Sequence, residues 1–206
     1  KERVINNNRA AVRAIAFAPD GKSFVTGSWD FMLHLWNLDG SLIDSHRHDK
    51  GITSVAFSPD GKSIVAGTFG KSLLWHLEKD TVVDIIEPTN VFVNGVAFSP
   101  DGNRILTGSN DTGARLWDLN GKLIKEFKGP RGAVRSVAIS TDGKSIITGT
   151  DGGTARLWDL DANILAEYQY DRGSVFSVAF PPDDQSLLMG SGDMIYHLKI
   201  IRLDQF

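Results

Sequence analysis

Cysteine is absent from this sequence, which excludes disulfides and thiolate metal sites without by itself assigning a compartment. No apolar run approaches the ~20 residues that a helix needs to span a bilayer, and the opening segment KERVINNNRA lacks a signal-peptide apolar core. A cytoplasmic location away from any membrane is therefore expected. Basic excess is missing too: 22 Lys and Arg against 25 Asp and Glu leave a formal net charge of -3, which argues against a nucleic-acid partner. Proline is scarce at seven residues, whereas glycine, at 21, is frequent and recurs in a pattern. With 206 residues, 41% of them hydrophobic and 23% charged, the chain is long enough for a single folded domain with a substantial core.

The pattern is an internal repeat. VRAIAFAPDGKSFVTGS, ITSVAFSPDGKSIVAGT, VNGVAFSPDGNRILTGS, VRSVAISTDGKSIITGT and VFSVAFPPDDQSLLMGS align without a gap. Their turn aspartates are Asp20, Asp60, Asp101, Asp142 and Asp183, so successive steps are 40, 41, 41 and 41 residues. The first four copies continue into a second block that ends in Trp36, Trp75, Trp117 or Trp158, while the fifth has Lys199 in that place. A Pro-Asp-Gly turn between two β-branched or apolar runs signals a hairpin, because Pro presets one backbone angle, Asp bonds its own backbone and Gly accepts positive φ. Runs such as SVAFS and SIVAG have strand length and are apolar or small on both faces, as in a sheet covered on both sides. Four short antiparallel strands in each ~40 residues, buried on both faces, describe a propeller blade stacked between neighbours.

These motifs, of the form VAFSPDG…GSxD…LWDL, resemble the WD-repeat family of β-propellers from about Ala11 to Leu203, in a PDGK-rich style similar to bacterial members. The resemblance implies an all-β propeller of five four-stranded blades, with repeats near 11–50, 51–91, 92–132, 133–173 and 174–206. Residues 1–10 would supply a strand completing the last blade, and the alternatives are a fragment of a larger propeller or an open arc completed by another chain.

Family blades often hold a bonded set of a turn Asp, a strand Ser or Thr, the Trp, and a His before the first strand. Here the turn residue is Asp30, Asp111 or Asp193, with Gly70 and Gly152 in the other two copies, and the hydroxyl is Thr26, Thr107 or Thr148. The His position holds Asn8, His48, Thr89, Pro130 and Asp171, so no copy is complete and stability should rest more on stacked apolar faces. His34, His76 and His197 fall in or beside third strands, where they read as surface residues rather than as a ligand cluster. No carboxylate pair, nucleophile set or phosphate loop stands out, so neither catalysis nor a cofactor or metal is expected.

One turn carries an unexpected residue. Between the second and third strands the copies read GSWD, GTFG, GSND, GTDG and GSGD, so Trp29 and Phe69 occupy a place that Asn110, Asp151 and Gly192 fill elsewhere. By resemblance this turn opens on the face where partner peptides dock around the central channel, together with the variable first-strand residues Arg13, Thr53, Asn94, Arg135 and Phe176. Two aromatics beside Arg13 have the composition of a binding hot spot. The expectation is a non-catalytic protein or peptide interaction scaffold, a signalling sensor or regulatory module of a longer chain. Its rivals are a Trp29 that merely plugs the channel, a lectin-like ring, an enzyme with a funnel site, and an engineered or truncated propeller without independent function. Oligomers are expected if one chain leaves the ring open.

Overall fold

The computed structural model describes residues 10–86, 90–129, 132–170, 173–192 and 197–202, the last of these and Ile86 as backbone. All regular structure among them is strand. The first blade comprises β1 (Val12–Phe17), β2 (Ser23–Ser28), β3 (Met32–Asn37) and β4 (Leu42–Arg47). The second comprises β5 (Ser54–Phe57), β6 (Ser63–Gly67), β7 (Lys71–His76) and β8 (Thr81–Ile86). In the third stand β9 (Val93–Phe98), β10 (Arg104–Ser109), β11 (Gly113–Asp118) and β12 (Leu123–Lys128), and in the fourth β13 (Val134–Ile139), β14 (Ser145–Thr150), β15 (Thr154–Asp159) and β16 (Ile164–Gln169). The fifth contains β17 (Ser174–Ala179), β18 (Ser186–Gly192) and β19 (His197–Arg202).

Each sheet pairs its strands antiparallel in chain order, four strands in the first four blades and three in the fifth. A strand from residues 1–9 that would complete the fifth sheet lies outside the described residues, as do Thr89, Pro130, Asp171 and Asp193. First strands of successive blades pack side by side, β1 with β5, β5 with β9, β9 with β13 and β13 with β17.

The hairpin chemistry forms as the turn residues dictate. Gly21, Gly61, Gly102 and Gly143 take φ between 66° and 71°. The preceding aspartate accepts the N–H two residues on, at 3.0 Å for Asp20, Asp60, Asp101 and Asp142 alike. In the fifth copy Asp184 takes the left-handed place at φ 52°, and its carboxylate accepts the Thr141 N–H at 3.0 Å, tying the fourth and fifth turns together.

Apolar packing lies between blades. Val25, Leu33 and Leu35 of the first meet Ile52, Val55, Ile64 and Trp75 of the second. Equivalent cores join the second to the third, the third to the fourth and the fourth to the fifth. Fully burying each Ile, Leu or Val at these seams is worth about 1.5–3 kcal/mol. No such core joins the fifth blade to the first among the described residues. Val12, Ile15 and Phe17 on β1 are 47%, 60% and 65% exposed, whereas the matching Ile52 and Val55, or Val93 and Val96, are buried against a preceding blade.

Three conserved-geometry contacts lock second and third strands together. Trp36, Trp117 and Trp158 each donate the indole N–H to the threonine on the neighbouring strand, Thr26, Thr107 and Thr148, at 2.9, 2.9 and 3.0 Å. The second blade has Ala66 in that place, and its Trp75 donates instead to Asp80 in the turn that follows, at 3.1 Å.

Candidate functional site

The variable first-strand residues are set apart by backbone geometry. In β1 the pairing with β2 skips from Val12 to Ala14, leaving Arg13 without a ladder partner. The same skip isolates Asn94 between Gly95 and Val93, Arg135 between Val134 and Ser136, and Phe176 between Val175 and Ser177. Thr53 sits just ahead of β5 in the corresponding place. Such bulges bend a strand and re-aim one side chain. All five residues line one cavity of about 350 Å³ at the centre of the blades.

The turns after the second strands build its rim. Trp29 and Asn110 line the cavity beside the bulged residues. Trp29 lies over Gly51, whose own β-carbon would sit only 3.5 Å from the indole Cγ, and it remains 50% exposed. Its ring stacks on Phe92, 6.4 Å between centres at 12°, and the Arg13 guanidinium lies 5.8 Å from its centre. Phe69 and Asp151 do not line the cavity but support it. Phe69 packs edge-on against Phe92 at 4.9 Å, and Asp151 holds the Arg135 guanidinium at 2.9 Å. Trp29 therefore forms part of the cavity wall.

Phe92 does not fall at a recurring site position of the repeat. It immediately precedes the first strand, where the other copies carry Ala11, Gly51, Ala133 and Ser174, so an unusually large residue at that place was the available signal. The Asn110 N–H donates to the Phe92 carbonyl at 2.9 Å, as the Trp29 N–H does to Ala11 and the Asp151 N–H to Ala133. This contact ties the rim turns of the first, third and fourth blades to the segment entering the first strand.

Two asparagines of the wall bond each other, and Thr53 bonds the backbone. The Asn94 amide donates to the Asn110 side-chain oxygen at 2.6 Å and to the Val134 carbonyl at 2.8 Å. The Thr53 hydroxyl donates to the backbone carbonyls of Gly67 and Val93.

His34, His46, His48 and His76 lie away from this cavity, and one differs from expectation. His34 is buried rather than on the surface, its ring 5.3 Å from that of Trp36. Its place in the third strand is central to the sheet, and the matching Arg115 and Arg156 are buried too, each held by a glutamate on the fourth strand, Glu126 at 2.9 Å and Glu167 at 2.6 Å. Burial pushes the His34 pKa down, against the pull of Asp30. His48 is also buried, 2.9 Å from Asp49, and burial again lowers its pKa. Among the described residues no group of three His, Asp or Glu side chains converges on a possible metal position.

No curated protein matches the chain. The family model for the WD domain, G-beta repeat, matches residues 2–37, 40–75, 82–118 and 121–159, leaving the divergent fifth copy outside. Each matched stretch from the second on begins in or just before the outer strand of one blade and runs through the third strand of the next, ending at or just after its tryptophan. Together with the stacked antiparallel blades, these repeats place the chain in the WD40 family, whose propellers generally serve as protein-interaction scaffolds.

Proposed function

We propose that the chain is a non-catalytic interaction module that docks a peptide segment of a partner protein in the central cavity, as the regulatory or sensing part of a larger assembly. The observation that carries this reading is the concentration of exposed Trp29, Phe92 and Phe176 with Arg13 in one concavity whose first-strand residues sit at backbone bulges. Large rigid aromatics beside arginine are the side chains that dominate binding energy at protein interfaces. A sheet framework holds them in place, so little ordering entropy is lost on binding.

The test is selection of a displayed random-peptide library on the immobilised protein, repeated with Trp29→Ala and Phe92→Ala. Both variants should keep their melting temperature within a few degrees and weaken selected peptides about tenfold or more, the range seen when hot-spot aromatics are truncated. A Trp29→Ala variant that binds normally but melts much earlier would assign the indole a plugging role and remove the reading. Binding of glycans instead of peptides, lost in the same variants, would shift it to a lectin.

A further inference from the structure

Resting on that reading of the cavity, we infer that its ligands are acidic peptides: a side-chain or terminal carboxylate bound at Arg13 and Arg135, with a neighbouring apolar side chain against Trp29, Phe92 and Phe176.

The first reason is the hydrogen-bonding capacity left in the wall. The Asn94 amide donors and the Thr53 hydroxyl proton are already committed to neighbouring oxygens. Arg13 has no carboxylate partner among the described residues, and its five N–H groups are open to a ligand. Arg135 gives one terminal nitrogen to Asp151 at 2.9 Å, and its other terminal nitrogen has no hydrogen-bond partner among the described residues. Open guanidinium donors on Arg13 and Arg135 thus line the cavity, and a ligand bearing an anionic acceptor pairs them.

The second reason is charge. Among the described residues two guanidiniums line the cavity and no carboxylate does; Asp151, just behind the wall, offsets one of them. This local sign opposes the net charge of -3 on the whole chain, so an acidic ligand gains from this spot alone and not from a general field.

The third reason is preorganisation. The Arg13 guanidinium lies over the Trp29 ring and Arg135 is pinned by Asp151, so both are held near the aromatic wall before a ligand arrives. A planar fork held in this way matches a carboxylate with two parallel bonds, which a lysine ammonium would not reproduce.

The experiment uses the 206-residue chain and the random-peptide selection above, followed by fluorescence anisotropy with one enriched, fluorescein-labelled peptide and its Glu→Gln or Asp→Asn counterpart. Enriched sequences should carry Asp or Glu within one or two positions of an aromatic or aliphatic residue. Neutralising that acid should weaken binding about tenfold, the size expected for a charge-assisted bidentate contact. Arg13→Gln should erase the difference between the two peptides, and Arg13→Lys should restore only part of it. Enriched peptides without acids, or a neutralised peptide that binds equally well, would overturn the acidic class while leaving peptide docking intact. A preference for phosphorylated over carboxylate peptides would overturn it as well. If no peptide is enriched, or enrichment survives Trp29→Ala and Phe92→Ala unchanged, the docking function itself fails and this inference with it.

Discussion

A β-carbon built on Gly108 would lie 2.6 Å from Cγ1 of Val134, in the first strand of the next blade. Gly27 stands in the same relation to Ile52, and Gly149 to Val175 at 2.7 Å. These strand glycines mark close approach of the following blade. At Gly190 of the fifth blade the nearest atom among the described residues is Ser177 Cβ of the same sheet, at an ordinary 3.5 Å. Gly108→Ala should therefore destabilise by about 1–3 kcal/mol, as overpacking does, while Gly190→Ala should be close to neutral. Chemical denaturation of the two variants compares them directly. Equal losses would mean that a further blade packs on the fifth as well.

Phe31 occupies the left-handed region at φ 74°, in the turn that also carries Trp29. Thr112 does the same at φ 73° in the third blade, whereas the matching Gly153 and the shorter turn of the second blade, with Gly70, use glycine. A bulky residue there is strained by about 1–2 kcal/mol. Phe31→Gly should raise the melting temperature by roughly 2–4 °C, from relief of about 1 kcal/mol in a chain of this size. A lower melting temperature would show that the partly exposed Phe31 ring contributes more by packing than its backbone loses.

Thr107→Val keeps shape but removes the acceptor for the buried Trp117 N–H. The orphaned donor should cost about 1–3 kcal/mol. In the second blade, Asp80→Ala should cost less, because Asp80 lies in an exposed turn where water can replace it. Differential scanning calorimetry of both variants tests the order, and a larger loss at Asp80 would contradict it.

Acid sensitivity should trace in part to His34 and His48. Burial lowers both folded-state pKa values below the ordinary 6.5. The unfolded chain then takes up protons first, so stability is full above about pH 6.5 and declines as pH falls from there through the lowered folded values. His34→Gln should flatten the fall of melting temperature between about pH 7 and 5, with the first loss setting in near the model-peptide value. A profile unchanged by the substitution would remove His34 from the explanation.

Much of this was legible locally. The turn aspartates and glycines at Asp60–Gly61 or Asp142–Gly143 form the hairpins that their chemistry requires, and Trp36, Trp117 and Trp158 reach the threonines ten residues back because strand pairing sets each threonine two residues, and so on the same face, from the residue opposite the tryptophan. The first-strand residues Arg13, Thr53, Asn94, Arg135 and Phe176 and the turn residues Trp29 and Asn110 were likewise identifiable from their places in the repeat, and they share one cavity. Others were not readable from the repeat alone. Phe92 joins the wall from a segment that the aligned copies treat as a small-residue entry. His34 is buried although its third-strand place takes charged residues elsewhere.

The sequence by itself determined the blade: strand length, turn position and the step of about 40 residues follow from interactions spanning a few residues, which composition and spacing encode directly. Only the tertiary structure decided what each position meets. The stacking of Trp29 on Phe92 and the burial of Val93 where Val12 stands open depend on another blade, and the bulges that single out Arg13 and Arg135 on the pairing of first with second strand. These relations join residues beyond the reach of a single turn, and identical local patterns acquire different surroundings according to which sheet packs against them.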